Sequence, residues 1–331
     1  MSSGPSQRNL LVLVGGKSGE HAISLLSGAA VVRHLDLRTT ALRVVRVEQD
    51  GRWTFVEGTD VAGPGRTISA GEGIAELARL RPDVAFPVMH GPYGEDGHVQ
   101  ALLELLEIPF VGSGMEASAL AMNKARARDV LFTAGARVAA AEELSAGQAP
   151  TIPAPCVVKP LRLGSSVGLA VVHTDAERDR AVALALAHDR WVLVEAFVHG
   201  TEVTAGVLER PDGSLEALPL VEIRPKSSHF FDYHAKYTPG ASEELCPAPV
   251  PDAARDACQQ LALLAHRVLG CRTMSRTDLI LPFDGSAPVV LETNTIPGLT
   301  GTSLLPQAAA AAGIDFRALV ERLVGLATRP R

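Results

Sequence analysis

Five consecutive apolar residues, Leu10 to Val14, run into Gly15-Gly16. A short unbroken apolar run that stops at glycines is the pattern of a buried strand. Ala22, Leu25, Leu26, Ala29 and Ala30 then recur at helical spacing, predicting strand, loop, helix. Val84 to Met89 is a second such run, followed by His90-Gly91-Pro92-Tyr93-Gly94-Glu95-Asp96-Gly97. Three glycines and a proline in eight residues exclude a helix there, so the segment reads as a loop at a strand end. Val99 to Leu106 reads as a helix, and the first third as an open α/β layer. The ligand loops of such a layer lie beyond the carboxyl ends of its strands.

Near Gly114 the pattern changes. Ala117 to Ala134 predicts one helix, Cys156 to Lys159 a strand, Arg162 to Gly168 a glycine-serine loop and Leu169 to Val172 another strand. This strand-loop-strand order differs from the strand-loop-helix of a Walker-type phosphate loop. Beyond Trp191 to Glu195 come mixed strands, a polar loop over roughly Lys226 to Glu244, a hairpin, a helical Ala308 to Ala312 run and a closing helix from Phe316 to Leu326. No internal repeat is present. The expected units are 1–113, 114–194 and 195–331.

The chain of 331 residues is long enough for two or three such units. Its 47% apolar and 21% charged content is that of a globular protein. A formal charge of −6 and only 4% aromatic residues argue against a nucleic-acid surface. No apolar run is long enough to span a membrane or to form the core of a signal peptide. The four cysteines, Cys156, Cys246, Cys258 and Cys271, lack CxxC spacing, which disfavours a zinc or redox site and fits a reducing cytoplasm.

The candidate chemistry centres on Arg276 to Asn294. Two strand-like runs flank Pro282-Phe283-Asp284-Gly285-Ser286, and Asp278 and Glu292 each lie seven residues from Gly285. A hairpin centred there sets the two carboxylates opposite each other. Alternation puts Arg276 and Asp278 on one face of their strand, and Val290, Glu292 and Asn294 on one face of theirs. Two carboxylates and an amide suit Mg²⁺ held together with substrate phosphates. A surface hairpin with scattered polar residues fits the same pattern. Lys159 ends an apolar strand beside the Gly164-Ser165-Ser166 loop, whose backbone N–H groups could face phosphate oxygens. Lys124 and Lys236 are not diagnostic alone. Glu20-His21 at a helix start could serve only the helix dipole. His90 could be a base, a carboxylate partner or a structural histidine. Ser165 and Ser166 lack the context of a hydrolase nucleophile.

Taken together the motifs resemble the D-alanine–D-alanine ligases of the ATP-grasp superfamily. The resemblance rests on five segments in order: Gly15 to Ser24; His90-Gly91 with Gly94-Glu95-Asp96-Gly97; Val157 to Pro160 with Gly164 to Gly168; Asp232 to Tyr237; and Leu291 to Thr300 followed by Ser303-Leu304. It implies an α/β (α+β) ATP-grasp fold, with an N-terminal open α/β domain and two further mixed domains enclosing ATP. Lys124 and Lys159 would contact the α- and β-phosphates, Lys236 the γ-phosphate and Ser166 the nucleotide. Glu195, Ala196 and Phe197 would form the adenine-side hinge, and Glu202 would hold the ribose. Asp278, Glu292 and Asn294 would hold two Mg²⁺ ions, for which Mn²⁺ could substitute. Arg276 and the Gly298 amide would stabilise an oxyanion, and Glu20, Ser165 and Tyr237 would form a hydrogen-bonded triad. Glu20 would pair with the first substrate's ammonium and His90 with its carboxylate. Ser303 and Leu304 would receive the second substrate. The implied protein is a cytoplasmic homodimer acting on small amino acids and ATP, with a mobile lid over Lys226 to Glu244.

Tyr237 favours an amine over a hydroxy-acid acceptor within this family. The pair Ala196-Phe197, together with His98, Phe231, His234 and Thr293, departs from the family's usual residues. These departures motivate a second expectation, a homologue that joins a different amino-acid pair in a specialised pathway. A dinucleotide-binding oxidoreductase is disfavoured because no GxGxxG follows the first strand. An inactive nucleotide sensor is disfavoured by the intact Lys124, Lys159, Lys236, Asp278, Glu292 and Asn294.

Overall fold

In the computed structural model, residues 7–165, 167–225 and 242–328 are described. The first sheet contains β1 (Arg8–Gly15), β2 (Thr40–Val47), β3 (Trp53–Val56), β4 (Gly65–Ile68) and β5 (Val84–Pro87), in the order β4-β3-β2-β1-β5. The apolar run in β1 is central and pairs in parallel with both β2 and β5. Its residues Leu10 to Val14 are almost fully buried, as a strand covered on both faces requires. Helices α1 (His21–His34), α2 (Ala70–Leu80) and α3 (His98–Leu105) accompany this sheet. The loops after β1 and β5 carry Glu20 and His90, so both lie beyond the carboxyl ends of parallel strands.

The helix expected over Ala117 to Ala134 is two helices, α4 (Met115–Met122) and α5 (Lys124–Thr133). The break is Asn123, extended at φ −84° and ψ 93°, whose side-chain oxygen accepts the Arg126 N–H at 3.2 Å. Asparagine competes for backbone hydrogen bonds inside a helix but satisfies an orphan N–H at its start. The break makes Lys124 the first residue of α5.

The second sheet has the order β6-β9-β7-β8, from β6 (Ala141–Ser145), β7 (Cys156–Pro160), β8 (Ala170–Val172) and β9 (Trp191–Ala196), with α6 (Asp175–Ala185) against it. The β7–β8 pair is the expected antiparallel hairpin around the 161–169 loop. The third sheet has the path β13-β12-β10-β14-β15, with β11 beside β10. It comprises β10 (Gly200–Glu209), β11 (Leu215–Ala217), β12 (Val221–Pro225), β13 (Ser242–Leu245), β14 (Met274–Pro282) and β15 (Val289–Asn294). The chain closes with α7 (Asp252–Val268), α8 (Leu304–Ala311) and α9 (Phe316–Ala327). Residues 226–241 of the expected polar loop lie outside the described residues, and its end differs from the expectation because Ser242 to Leu245 pairs with β12 as a strand.

The hairpin of β14 and β15 places Asp278 directly opposite Glu292 and Arg276 opposite Asn294. Nearer the turn the register shifts, so that Leu279 faces Val290 and Leu291 is the extra residue of a β-bulge. This corrects the expectation that Val290, Glu292 and Asn294 share a face. Val290 packs in the core with Leu279, Val203 and Cys258, whereas both Leu291 and Glu292 line a cleft. One large core cluster unites Val12, Val14 and Phe86 of the first sheet with Leu208, Val221 and Met274 of the third and with α9. Among the described residues, no helix is long and apolar enough to cross a membrane.

Candidate active site

Two cavities meet at the heart of the molecule. One, of about 140 Å³, lies between the second and third sheets and is lined by Lys124, Lys159, Glu195, Glu202, Asp278 and Glu292. The other, of about 570 Å³, is bordered by Glu20, His90, Ser165, Arg276, Asn294 and Ser303. Gly164 and Glu292 line both.

The smaller cavity combines apolar walls with buried charge. Val157 from β7, Val171 from β8 and Ile280 and Leu291 from the β14–β15 hairpin form its apolar surfaces. Lys124, at the start of α5, donates from Nζ to the Leu163 carbonyl at 2.7 Å and lies 3.5 Å from Glu292 Oε2. Lys159, near the end of β7, has its Nζ 2.7 Å from Glu195 Oε2. The other oxygen of Glu195 accepts from Arg128 at 2.8 Å. The amides of Ala196 and Phe197 donate to Ala140 and Pro155 carbonyls, which leaves neither N–H for a ligand. Both residues line the cavity, and Val198, next in the chain, lines it with them.

Asp278 accepts hydrogen bonds from three residues. Arg276 grips it in bidentate fashion, Nε to Oδ1 and Nη2 to Oδ2, each at 2.8 Å. Thr204 donates to Oδ1 at 2.8 Å and Asn294 Nδ2 to Oδ2 at 3.2 Å. Because Asn294 uses its NH₂ here, its amide oxygen is left for another partner. Among the described residues, no group of three or more His, Cys, Asp or Glu side chains is arranged to hold a metal. Two carboxylates and an amide suit a hard cation only when other oxygens, such as phosphates, complete its shell.

In the larger cavity, Ser165 donates a hydrogen bond from Oγ to Glu20 Oε1, joining the 161–169 loop to the loop after β1. A Cβ on Gly164 would lie 3.1 Å from Glu20 Oε2 and 3.5 Å from Glu95 Oε1, so glycine permits this close approach. His90 is buried, its Nε2 3.4 Å from Ser27 Oγ, and its carbonyl accepts from Ser18 Oγ at 2.7 Å. Burial pushes the His90 pKa below the usual histidine range, against the opposing pull of Glu20, so the ring is neutral near pH 7. Ser303 precedes α8 without capping it through its side chain, and its Oγ accepts the Thr300 N–H at 3.0 Å. A Cβ on Gly298 would lie 2.8 Å from that Oγ, so the 298–303 turn is tightly closed. Leu304 opens α8, where first-turn amides have no intrahelical acceptor and favour an anionic group. Ser166, Lys236 and Tyr237 lie outside the described residues.

Two residues that the sequence reading left out belong to this site. Glu95 lines the larger cavity and accepts the Gly91 N–H at 3.0 Å. Burial, then the nearby Glu20 carboxylate, push its pKa up to about 8, while the Gly91 N–H opposes them. An acid set between the glycines of the 90–97 loop was its signal. Arg128 follows Lys124 by four residues in α5, and that spacing on one helix face was its signal.

Known families match the chain along almost its whole length. Residues 9–113 match the family described as D-ala D-ala ligase N-terminus, and residues 125–325 match D-ala D-ala ligase C-terminus. A D-alanine–D-alanine ligase of Syntrophobacter fumaroxidans is 42% identical, with 96% of each chain covered. One from Mycolicibacterium smegmatis is 38% identical over 98% of this chain and 96% of its own length. Among solved structures, the VanG D-Ala:D-Ser ligase of Enterococcus faecalis superposes with a TM-score of 0.82 at 30% identity, covering 97% of this chain and 100% of that one. The D-alanine–D-alanine ligase of Coxiella burnetii gives a TM-score of 0.81 at 28% identity, covering 98% and 94%.

Proposed function

Because the chain belongs to the D-ala D-ala ligase family and has its mixed α/β ATP-grasp fold, we propose that it joins two D-alanines into D-alanyl-D-alanine for peptidoglycan precursors. The carboxylate of the first D-alanine attacks the γ-phosphorus of ATP, and ADP leaves. The neutral amino group of the second then attacks the acyl carbon of the D-alanyl phosphate, phosphate leaves with the C–O bond electrons, and the proton lost from nitrogen is taken up by the departing phosphate. The observation that carries this reading is the meeting of the two cavities at Gly164 and Glu292, which brings a nucleotide chamber against a substrate chamber.

Phosphoryl transfer needs positioning and charge neutralisation more than covalent chemistry. Lys124 and Lys159 serve the α- and β-phosphates, Lys236 the γ-phosphate, and Ser166 adds a contact from the adjoining loop. The 195–197 segment borders adenine, and Glu202 holds the ribose. Asp278, Glu292 and Asn294 hold two divalent ions, Mg²⁺ with Mn²⁺ able to replace it. When bound, these ions neutralise phosphate charge. Arg276 and the Gly298 amide stabilise the oxyanion of the tetrahedral intermediate.

Glu20 pairs with the ammonium of the first D-alanine, and His90, kept neutral by burial, donates to its carboxylate. Ser165, through its bond to Glu20, fixes that carboxylate, with Tyr237 completing the triad. Ser303, Leu304 and the first turn of α8 receive the second substrate's carboxylate. The proposal extends to units over 1–113, 114–194 and 195–331, a homodimeric assembly and a cytoplasmic location. A coupled ADP-release assay with D-alanine, with the product identified by mass, tests it. The expected product is the dipeptide formed with one ADP each, and D-alanine-independent ADP release alone would overturn it.

A further inference from the structure

Glu195 is a buried carboxylate with two cationic partners. Lys159 Nζ stands 2.7 Å from Oε2 on the cavity side, and Arg128 Nη1 donates to Oε1 at 2.8 Å. All three residues are buried, at 6% exposure for Lys159, 9% for Arg128 and 4% for Glu195. The other Arg128 Nη donates to the Ala139 carbonyl, so the guanidinium is fixed at both ends. Ala139 lines the cavity and Arg128 does not. Arg128 therefore supports Glu195 from behind, where a nucleotide would not touch it.

We propose that Arg128 is a positioning residue for ATP binding: it remains as the counter-ion of Glu195, so that Lys159 can turn from Glu195 to a phosphate. The inference rests on the reading of the smaller cavity as the ATP site. Its basis is the charge balance of the cluster. Two cations against one carboxylate leave a net charge of +1 beside the cavity. With Arg128 neutral, Lys159 and Glu195 cancel, and drawing Lys159 onto a phosphate would strand a buried carboxylate. Stranding a buried charge is far more costly than exchanging one partner for another. The spare positive charge thus acts on the phosphates and not on the uncharged adenosine moiety.

Calorimetric titration with ATP and with adenosine separates this role from a merely structural one. Arg128→Met is expected to weaken ATP about tenfold or more while adenosine stays within about twofold. Arg128→Lys, which keeps the charge, should bind ATP nearly as wild type does. Adding Glu195→Gln to Arg128→Met returns the cluster to +1 and should restore the preference for ATP over adenosine. Equal weakening of both ligands in Arg128→Met, or unchanged ATP affinity, overturns the proposal. Should Arg128→Met fail to fold, Glu195→Gln alone decides: its cluster carries +2, so the preference for ATP should be kept or increased, and a reduced preference overturns the proposal. Failure of the wild-type protein to bind either ligand would remove the nucleotide reading itself, and this proposal with it.

Discussion

Lys124 and Glu292 face each other across 3.5 Å where the two cavities join, one at the start of α5 and the other on β15. The helix that carries Lys124 packs on the third sheet through Ala127 and Leu131, so the pair is held by that shared core. Replacing Glu292 by Gln keeps the shape but removes the charge that faces Lys124 and, on the proposed reading, a metal. Turnover is expected to fall by about 10²–10³, the scale seen when one preorganised electrostatic group is lost. The Mg²⁺ concentration for half-maximal rate should rise as well. An unaltered Mg²⁺ dependence would contradict the metal role.

Gly164→Ala should impair catalysis with little effect on stability. The added methyl would press against Glu20 Oε2 at 3.1 Å and displace a group held by Ser165. Small misplacements of positioned groups cost about 10² in rate. Steady-state kinetics beside a thermal melt checks this, and wild-type turnover would show that the approach is not needed.

Glu95 makes stability depend on pH in the sense opposite to a paired carboxylate. Its folded pKa of about 8 exceeds the ordinary 4.5, so the native state binds its proton more tightly than the unfolded state. The associated stability is fully present below about pH 4.5 and is lost as pH rises to about 8. Glu95→Gln removes that dependence. Thermal midpoints measured across this range should fall more steeply for the wild type than for the variant, and parallel curves would refute the assignment.

Asn123→Ala removes the cap of α5 and should cost about 1 kcal/mol. A urea titration reads this as a lower midpoint with an unchanged slope. No loss would mean that the Arg126 N–H finds another acceptor.

How far the sequence could be read depended on the kind of signal. Continuous apolar runs such as Leu10 to Val14 and Val84 to Met89 mark buried strands wherever they occur, and their loops are where Glu20 and His90 sit. The opposition of Asp278 and Glu292 was legible from equal spacing about Gly285, yet it arises differently. The turn-proximal register pairs Leu279 with Val290, and only the extra residue at Leu291 brings Glu292 level with Asp278. A bulge leaves no mark in a count of residues, so the facing of Val290 was not legible. The break at Asn123 was carried by one capping side chain inside a helix-rich run. Glu95 and Arg128 gain their significance from neighbours distant in sequence, namely Glu20 and Glu195. Such pairs become visible only once the sheets are assembled.

Gly164 and the single carboxylate of Glu292 lie in the walls of both cavities. On the proposed reading that seam is a doorway: the phosphoryl group passes from the nucleotide side to the first substrate in the larger cavity, where the second substrate also binds. Fidelity at a doorway is a matter of stoichiometry before it is one of speed. Damage there would let water intercept the intermediate, and the first sign would be more ATP consumed per dipeptide formed.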